Sequence, residues 1–580
     1  MASRVVTRQA CGLCRRRKVK CDGLLTCSNC RTAKAHCQYP TPKKRGPKPV
    51  QWQEDSTRAS GVSLNSTSPV TSASGDSENP AIVQAYWSPD ADSPLYSNSI
   101  TSKAPSTPSE SQRQTVVRTH LDLLAGLLVA APSEAVASIP SRCILLYTQY
   151  VFGAIPLCHE GTLRATVSRF FNLPAGGADH SEDCAQISRC FAADSEQEWV
   201  AVLRSYTVLI ALCAAVTYVL PESVLPNKHL TAPLFLRVAR DTLRIYVDYD
   251  VEHPDSSSLS IRLFLSSAIQ ISTGMYGVAF HLLNEAGLTA MKLRLYDESS
   301  LEGKDPIEEN ILRNAFWQLY ICDKTALVMR TRPVTIHESL FETGLTLKTH
   351  SRNYVPLLGA EPESNGAAGT EDRLVQGFHV IRRLWGMAAR IIRAMEASSR
   401  KTLDEHADLH ECRESTLQLS EEYFEMITWT NWVQTSEESS PDECRNGGHQ
   451  LSQSLQRQRT AYLVSLHYIK VAVLNTAIQC NMTEIVGLSA GPLVLAMRQI
   501  ELAQDFMNVI ESVPFLHLQA EGEHCAEKIR RVGSLLLELA HTTVIDAVRC
   551  LAKQCAMRLI DMLARLNSKA SDVLGEYIGS

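Results

Sequence analysis

Between Cys11 and Cys37 six cysteines fall in a fixed pattern, and nothing else in the chain restricts its structure as tightly. The spacing is C-x2-C-x6-C-x5-C-x2-C-x6-C, two copies of C-x2-C-x6-C in tandem. A C-x2-C pair places two thiolates on one ion. Six thiolates cannot fill two separate tetrahedral sites, which need eight positions, but they suffice if two sulphurs are shared. Thiolate ligands favour zinc over hard ions such as magnesium or calcium. The reading is therefore a module of two Zn2+ ions held by Cys11, Cys14, Cys21, Cys27, Cys30 and Cys37. A segment of about forty residues has no core of its own, so metal binding supplies its folding energy.

Charge is partitioned around the same segment. Residues 1–50 hold 13 basic residues and one acid, Asp22, a formal charge of +12. The other 530 residues hold 44 basic and 61 acidic residues, a charge of −17. The overall −5 conceals a basic head suited to a polyanion. The start of the chain has no apolar core of signal-peptide type, which points to a reducing compartment and to metal ligands rather than disulfides. The most apolar stretch, Tyr206 to Leu220, is fifteen residues long. That is short of the roughly 20 that span a bilayer, so a buried core helix and no membrane are expected.

Composition divides the chain further. Residues 1–40 form the cysteine module and 41–50 a basic tail. Residues 51–113, rich in Ser, Thr and Pro, are expected to be a disordered linker, since they cannot bury enough apolar surface to offset ordering entropy. Residues 114–345 and 346–580 read as helix after helix. Asp305 suits an N-cap and Pro306 a first turn. Glu308 stands where a capping box needs it, and Ile311, Leu312, Ala315, Phe316, Leu319 and Tyr320 follow at helical spacing. Further helices are expected over Val375 to Ala397, Gln456 to Cys480, Pro492 to Val513 and Glu527 to Leu566. The fold class is mainly α: a small N-terminal two-zinc, six-cysteine module, a disordered linker and a large all-helical domain.

Cys11-Gly12-Leu13-Cys14-Arg15-Arg16-Arg17-Lys18-Val19-Lys20-Cys21-Asp22-Gly23, followed by Cys27-Ser28-Asn29-Cys30, resembles the fungal Zn(2)-Cys(6) binuclear-cluster DNA-binding domain. The resemblance implies that the first and fourth cysteines, Cys11 and Cys27, bridge the two zincs. The family usually has a proline before the fourth cysteine, where this chain has Leu24-Leu25-Thr26. The resemblance places a helix over residues 12–20 in the major groove of double-stranded DNA, with Lys18 and Arg17 reading CGG-type triplets. Lys and Arg recognise guanine O6 and N7, so the chemistry agrees. Arg15, Arg16, Lys20, Arg31 and Lys34 are assigned to phosphates, which position rather than specify. Lys43, Lys44, Arg45 and Lys48 form a nuclear-import signal, a phosphate contact or a minor-groove arm.

The resemblance extends into the body. Tyr147-x-x-Tyr150, Pro156 and His159 are similar to the opening of the family's middle homology region. Gly277-Val278-Ala279-Phe280 to Glu285-Ala286-Gly287-Leu288 resemble its central helix. Glu308 to Phe341, with Phe316-Trp317, Asp323 and Arg332-Pro333, resemble its closing stretch, with Thr331 in place of the usual glycine. His159, Asp323 and Arg332 offer either a polar site or a buried ion pair. The resemblance implies a nuclear regulator of RNA polymerase II genes, an activator by family habit, controlling a metabolic pathway or a secondary-metabolite cluster. A homodimer, coactivators and a small-molecule effector are partners it allows, although residues 45–115 show no sustained heptad. The segment 404–444 carries twelve acids and one basic residue, Arg413. Tyr423, Phe424, Trp429 and Trp432 interleave with them, so the segment is either an activation segment or an amphipathic helix flanking an exposed loop.

Other motifs carry little chemistry. Gly487-Leu488-Ser489-Ala490-Gly491 matches G-x-S-x-G but lacks the preceding strand that a nucleophile elbow requires. His406 and His410 lack the glutamate of H-E-x-x-H. Cys550 and Cys555 read as buried side chains rather than ligands. No catalytic residue is expected and the chain is not read as an enzyme. A zinc-bearing enzyme and a zinc-bearing adaptor with no specific DNA site are the alternatives.

Overall fold

The computed structural model describes Cys11, Cys14, Cys21, Asp22, residues 26–32 and 36–38, and residues 109–566 apart from 173–179, 274–275, 352–353, 360–366, 402–408, 429–447 and 489–490. Two compact units separate, Met1–Asn98 and Ser99–Ser580. In the first, the cysteines gather around a short helix, α1 (Ser28–Thr32). The expected linker lies outside the described residues except at its C-terminal end.

The second unit is helical, with no strand among the described residues. It opens with α2 (Glu110–Ala130), four residues ahead of the expected start at 114. A capping box explains the shift. Ser109 Oγ accepts from the Gln112 N–H at 3.2 Å, and Gln112 Oε1 accepts from the Ser109 N–H at 3.0 Å. This polar signature adds nothing to apolar periodicity and merges with the Ser/Thr-rich sequence before it. α3 (Ser138–Leu146) runs into a π-turn, Tyr147–Val151. Then come α4 (Glu160–Phe171), α5 (His180–Cys190) and α6 (Glu196–Val219).

α6 contains the most apolar stretch of the chain. At 24 residues it is longer than the apolar run alone and long enough to cross a bilayer. Leu203, Tyr206, Leu209, Ile210, Leu212 and Val216 are all fully buried, so it is a core helix wrapped by other helices. It packs on α7 (Lys228–Glu252) and α8 (Ser256–Thr273). Where these three meet, Asp250 is buried and accepts from Arg204 at 2.8 Å, from Arg262 at 2.6 Å and from Ser258 at 2.7 Å. Removing one member of such a group costs about 3–5 kcal/mol, because a charge is left buried without its partner.

α9 (Tyr276–Lys292) pairs with α8, and α10 (Pro306–Met329) follows. The expected start of α10 is observed: Asp305 accepts from the N–H groups of Ile307 and Glu308 at 3.1 and 3.3 Å, with Pro306 in the first turn. Glu308 does something different from a capping box. Its carboxylate accepts from the Ser256 N–H at 2.8 Å and the Ser256 hydroxyl at 2.5 Å, closing the N-terminus of α8 instead of its own helix. The helix ends at Arg330, in the left-handed conformation (φ 50°), three residues before Pro333.

The remaining helices are α11 (Ala367–Lys401), α12 (Leu409–Thr428), α13 (Gly448–Gln479), α14 (Pro492–Ser512), α15 (Phe515–Glu521), α16 (Glu523–Thr542) and α17 (Asp546–Arg565). The expected single helix Glu527 to Leu566 is two helices packed on one another. The break falls at Thr543-Val544-Ile545, a β-branched run with poor helix propensity and no Gly or Pro to announce it.

Two apolar clusters organise the unit. The first gathers α2 to α9 with much of α10, the second α12 to α17. They do not part at residue 345. α10 gives Ile311 to Tyr320 to the first and Val328 and Met329 to the second. α11 gives Leu374 and Phe378 to the first and Leu384 to Met395 to the second. Two continuous helices thus tie the cores together.

Candidate metal centre

The sequence brings the cysteines together in local pairs first. In each C-x2-C the first sulphur accepts the backbone N–H three residues on: Cys14 N–H to Cys11 Sγ and Cys30 N–H to Cys27 Sγ, both 3.4 Å. The two halves of the tandem pattern therefore have the same local geometry. α1 grows directly from the second pair, its first turn closed by Arg31 N–H to Cys27 O at 2.9 Å. Asp22 completes the cap, accepting from the Ser28 N–H at 2.9 Å and from the Ser28 hydroxyl.

Between the halves the sulphurs converge. Cys11 lies 3.8 Å from Cys27 and 3.5 Å from Cys30, and Cys14 lies 3.5 Å from Cys27. The four ligand atoms are all within 4.8 Å of one another and the residues are buried. These separations are far from the roughly 2.05 Å of a disulfide. They suit thiolates on one tetrahedral ion, where a Zn–S bond of about 2.3 Å sets neighbouring sulphurs about 3.8 Å apart. A second group joins Cys21, Asp22 and Cys27, so Cys27 belongs to both. Cys37 reaches the same place, its Sγ accepting the Cys27 N–H at 3.4 Å.

Electrostatics explains why such a group needs cations. The Cys14 N–H holds the Cys11 thiol down at about 6. Desolvation and the sulphurs of Cys27 and Cys11 push Cys14 up to about 12, and desolvation also raises Cys27 and Cys30. Thiols this close cannot all ionise unaided, whereas ligation requires thiolates and releases their protons.

This donor set is decisive. Residues 9–46 match the fungal Zn(2)-Cys(6) binuclear cluster domain. The cluster domain binds two zinc ions, and the cysteines present fit them. Over 42 residues the chain is 55% identical to the uncharacterized transcriptional regulatory protein C530.08 of Schizosaccharomyces pombe, covering 7% of this chain and 5% of that protein. Over 76 residues it is 37% identical to the maltose fermentation regulatory protein MAL13 of Saccharomyces cerevisiae, covering 12% of this chain and 16% of that protein. The matches thus span small fractions of both relatives.

Of the basic residues assigned to DNA, Arg31 is exposed on α1. Arg15, Arg16, Arg17, Lys18, Lys20, Lys34, Lys43, Lys44, Arg45 and Lys48 lie outside the described residues. The sequence pattern contains Asp22 but assigns it no contact with α1. Its standing as the sole acid of the head, beside Cys21 and six residues before Ser28, the first residue of α1, was the available clue.

In the body, Asp323 and Arg332 come together but His159 serves another purpose. Asp323 is buried at the end of α10 and accepts from the Thr335 N–H at 2.7 Å, with the Arg332 guanidinium at 3.8 Å. Arg332 also lies 5.2 Å over the Phe280 ring. This fastens the segment after α10 to its helix. His159 caps α4, its Nδ1 accepting the Thr162 N–H at 3.2 Å. Cys555 is buried but Cys550 is exposed, against the expectation that both are buried, because five residues turn a helix face well away. Ser489 and His406 lie outside the described residues, as does the His410 side chain.

Proposed function

We propose that this chain is a nuclear, sequence-specific DNA-binding regulator of transcription by RNA polymerase II. The observation that carries the reading is the thiol cluster, set in a segment, residues 9–46, that matches a binuclear zinc domain within a head, residues 1–50, of charge +12. Cys11, Cys14, Cys21, Cys27, Cys30 and Cys37 are the ligands, with Cys11 and Cys27 shared. The 3.8 Å approach of those two sulphurs, and the place of Cys27 in both groups, support the sharing. Six thiolates on two zincs leave an excess of negative charge that the surrounding Arg and Lys residues offset.

Lys18 and Arg17 read guanines of CGG-type triplets, while Arg15, Arg16, Lys20, Arg31 and Lys34 hold phosphates. Lys43, Lys44, Arg45 and Lys48 act in nuclear import or reach a minor groove. The helical body is the family's middle homology region and its C-terminal extension, and responds to a small-molecule effector. Within the acidic segment 404–444, α12 exposes Leu417 and Phe424, seven residues apart on one face, beside the exposed Glu414, Glu421 and Glu425. That apolar–acidic face suits a coactivator, which favours an activator of a metabolic or secondary-metabolite pathway.

Site selection from random duplexes with the zinc-loaded chain tests the reading. CGG-type triplets emerge for the native protein. Lys18→Ala relaxes preference at its base by about 1–3 kcal/mol, while Lys34→Ala weakens all sites alike and lowers the salt slope by about 1. Unchanged selectivity in Lys18→Ala removes the base-reading role, and no duplex bound by the zinc-loaded chain removes the proposal.

A further inference from the structure

Buried guanidinium groups need counter-charges, and in this body the fully buried ones have them. Arg204 and Arg262 share Asp250, Arg313 holds Glu298 and Glu309, and Arg457 reaches Glu521. Arg382 on α11 departs from this rule. It is half-buried, yet it makes no hydrogen bond or ion pair with any described residue, and its Nε–H is buried without an acceptor. Its Nη groups are unpartnered too but are not enclosed, so this edge of the side chain meets solvent. Burial pulls the guanidinium down from 12.5 to about 10, with Tyr320 opposing and Arg383 adding to the effect, and no carboxylate takes part.

The side chain is nonetheless held in place. Arg382 Cζ lies 4.0 Å from the centre of the Trp317 ring on α10. Trp317 is 1% exposed, and its Nε1–H donates to the Lys348 carbonyl at 3.0 Å, which fixes the ring that Arg382 lies on. The acids of this region are committed elsewhere. Glu298 and Glu309 hold Arg313, and Glu338 takes the Tyr320 hydroxyl at 2.9 Å and Lys324 at 3.3 Å. What surrounds Arg382 is basic. His379 stands 6.4 Å from Trp317 and 5.5 Å from His350, ring to ring. Burial first, then Arg382 and His350, hold His379 down at about 3. His350, Lys348 and Arg383 are exposed. This local excess of positive charge stands on a part of the chain, residues 51–580, whose net charge is −17.

A guanidinium stacked on an indole and stripped of acids is costly to the fold unless something outside the chain completes it. The stack fixes its plane, so little freedom is lost when a ligand arrives. One face is covered by Trp317 and the Nε side is buried, which leaves the Nη edge. That edge offers parallel N–H donors to a carboxylate or a phosphate. We propose that Arg382 anchors a binding site for a small organic acid or phosphate ester, taking its oxyanionic group on the Nη edge. The neighbouring basic side chains raise the local concentration of such anions. This gives the effector role proposed above a place and a ligand class, and because the assay reads no DNA, the two readings fail separately.

The test is isothermal titration calorimetry on the full-length, zinc-loaded chain, at an ionic strength held constant with chloride. Acetate, succinate and benzoate are the carboxylate probes, inorganic phosphate and glycerol 3-phosphate the phosphate probes, and acetamide and benzamide the neutral controls. At least one oxyanion is expected to bind saturably and neither amide to do so; the arm that saturates assigns the group as carboxylate or phosphate. Arg382→Met keeps an apolar stem on Trp317 and removes the charge. It is expected to weaken binding about tenfold or more. The denaturant midpoint of its ligand-free form should be equal or higher, because an uncompensated charge is gone. Arg382→Lys keeps the charge but loses the fork; it should weaken binding as well, and it carries the test if the first variant does not fold. Arg383→Gln, a change of charge on the exposed neighbour, should leave binding in place. Saturation by no oxyanion overturns the proposal. So does binding that survives loss of the Arg382 guanidinium, or that falls equally in Arg383→Gln.

Discussion

Cys27 and Cys213 are both fully buried, yet they belong to opposite kinds of structure. Around Cys27 the nearest partners are other sulphurs, at 3.5 and 3.8 Å, and backbone N–H groups pointing at them. Cys213 sits inside α6 among Leu209, Ile210, Leu212 and Val216, with the Cys143 thiol beside it, and burial first and then Cys143 raise its thiol well above the ordinary range. Burial alone therefore says nothing of a cysteine's task; its neighbours decide. The head concentrates its stability in a few ligands and the body spreads it over two apolar cores, so the two should fail differently.

The largest separation between them comes from metal removal. Chelation, or Cys27→Ser, should unfold the head and abolish duplex binding, since apparent zinc-binding free energies of about 10–16 kcal/mol are folding free energy in such modules. Circular dichroism of the body should hardly change. Loss of the body's helical melt on chelation would break the comparison.

Asp250→Ala should do the reverse. It removes the buried acceptor that Arg204 and Arg262 share, leaving them Asp255 and Glu285, and costs about 3 kcal/mol in the body, with zinc content unchanged. Denaturant unfolding beside a zinc assay measures both.

A third prediction concerns pH. His120 is buried and neutral, accepting from the Tyr206 hydroxyl at 2.9 Å and donating to the Phe170 carbonyl at 3.0 Å. Burial pulls it down from 6.5 to about 4. The unfolded chain binds this proton first, so the contribution is complete above about pH 6.5 and is lost as pH falls toward 4. It amounts to about 3 kcal/mol. His120→Gln should flatten the stability of the body over that window, and an unaltered profile would remove His120 as the cause. The smallest effect is expected from Asp305→Ala, about 1 kcal/mol for the lost cap of α10.

Much of this was legible from one dimension. The ligand spacing and the caps at Asp305 and Pro306 are local, and a short segment suffices to specify them. The sharing of α10 and α11 between the two cores was not, because each changes core partway along and no composition marks the change. Nor was the break at 543–545, where a β-branched run ends a helix without Gly or Pro. The length and continuous apolarity of Tyr206 to Leu220 announced a buried core helix, but not which helices would cover it.

The sequence by itself determined that thiolates would collect metal, that the head would be basic, and that the body would be helical. These follow from spacing, charge and periodicity, which act over a few residues. Only the tertiary structure decided that Glu308 caps α8 rather than its own helix, and that Asp250 gathers Arg204, Ser258 and Arg262. It also decided that Gln458 joins the carbonyls of Gly153 and Leu374. Each of these joins residues far apart in the chain, and such contacts form only when whole helices pack and exclude water from between them.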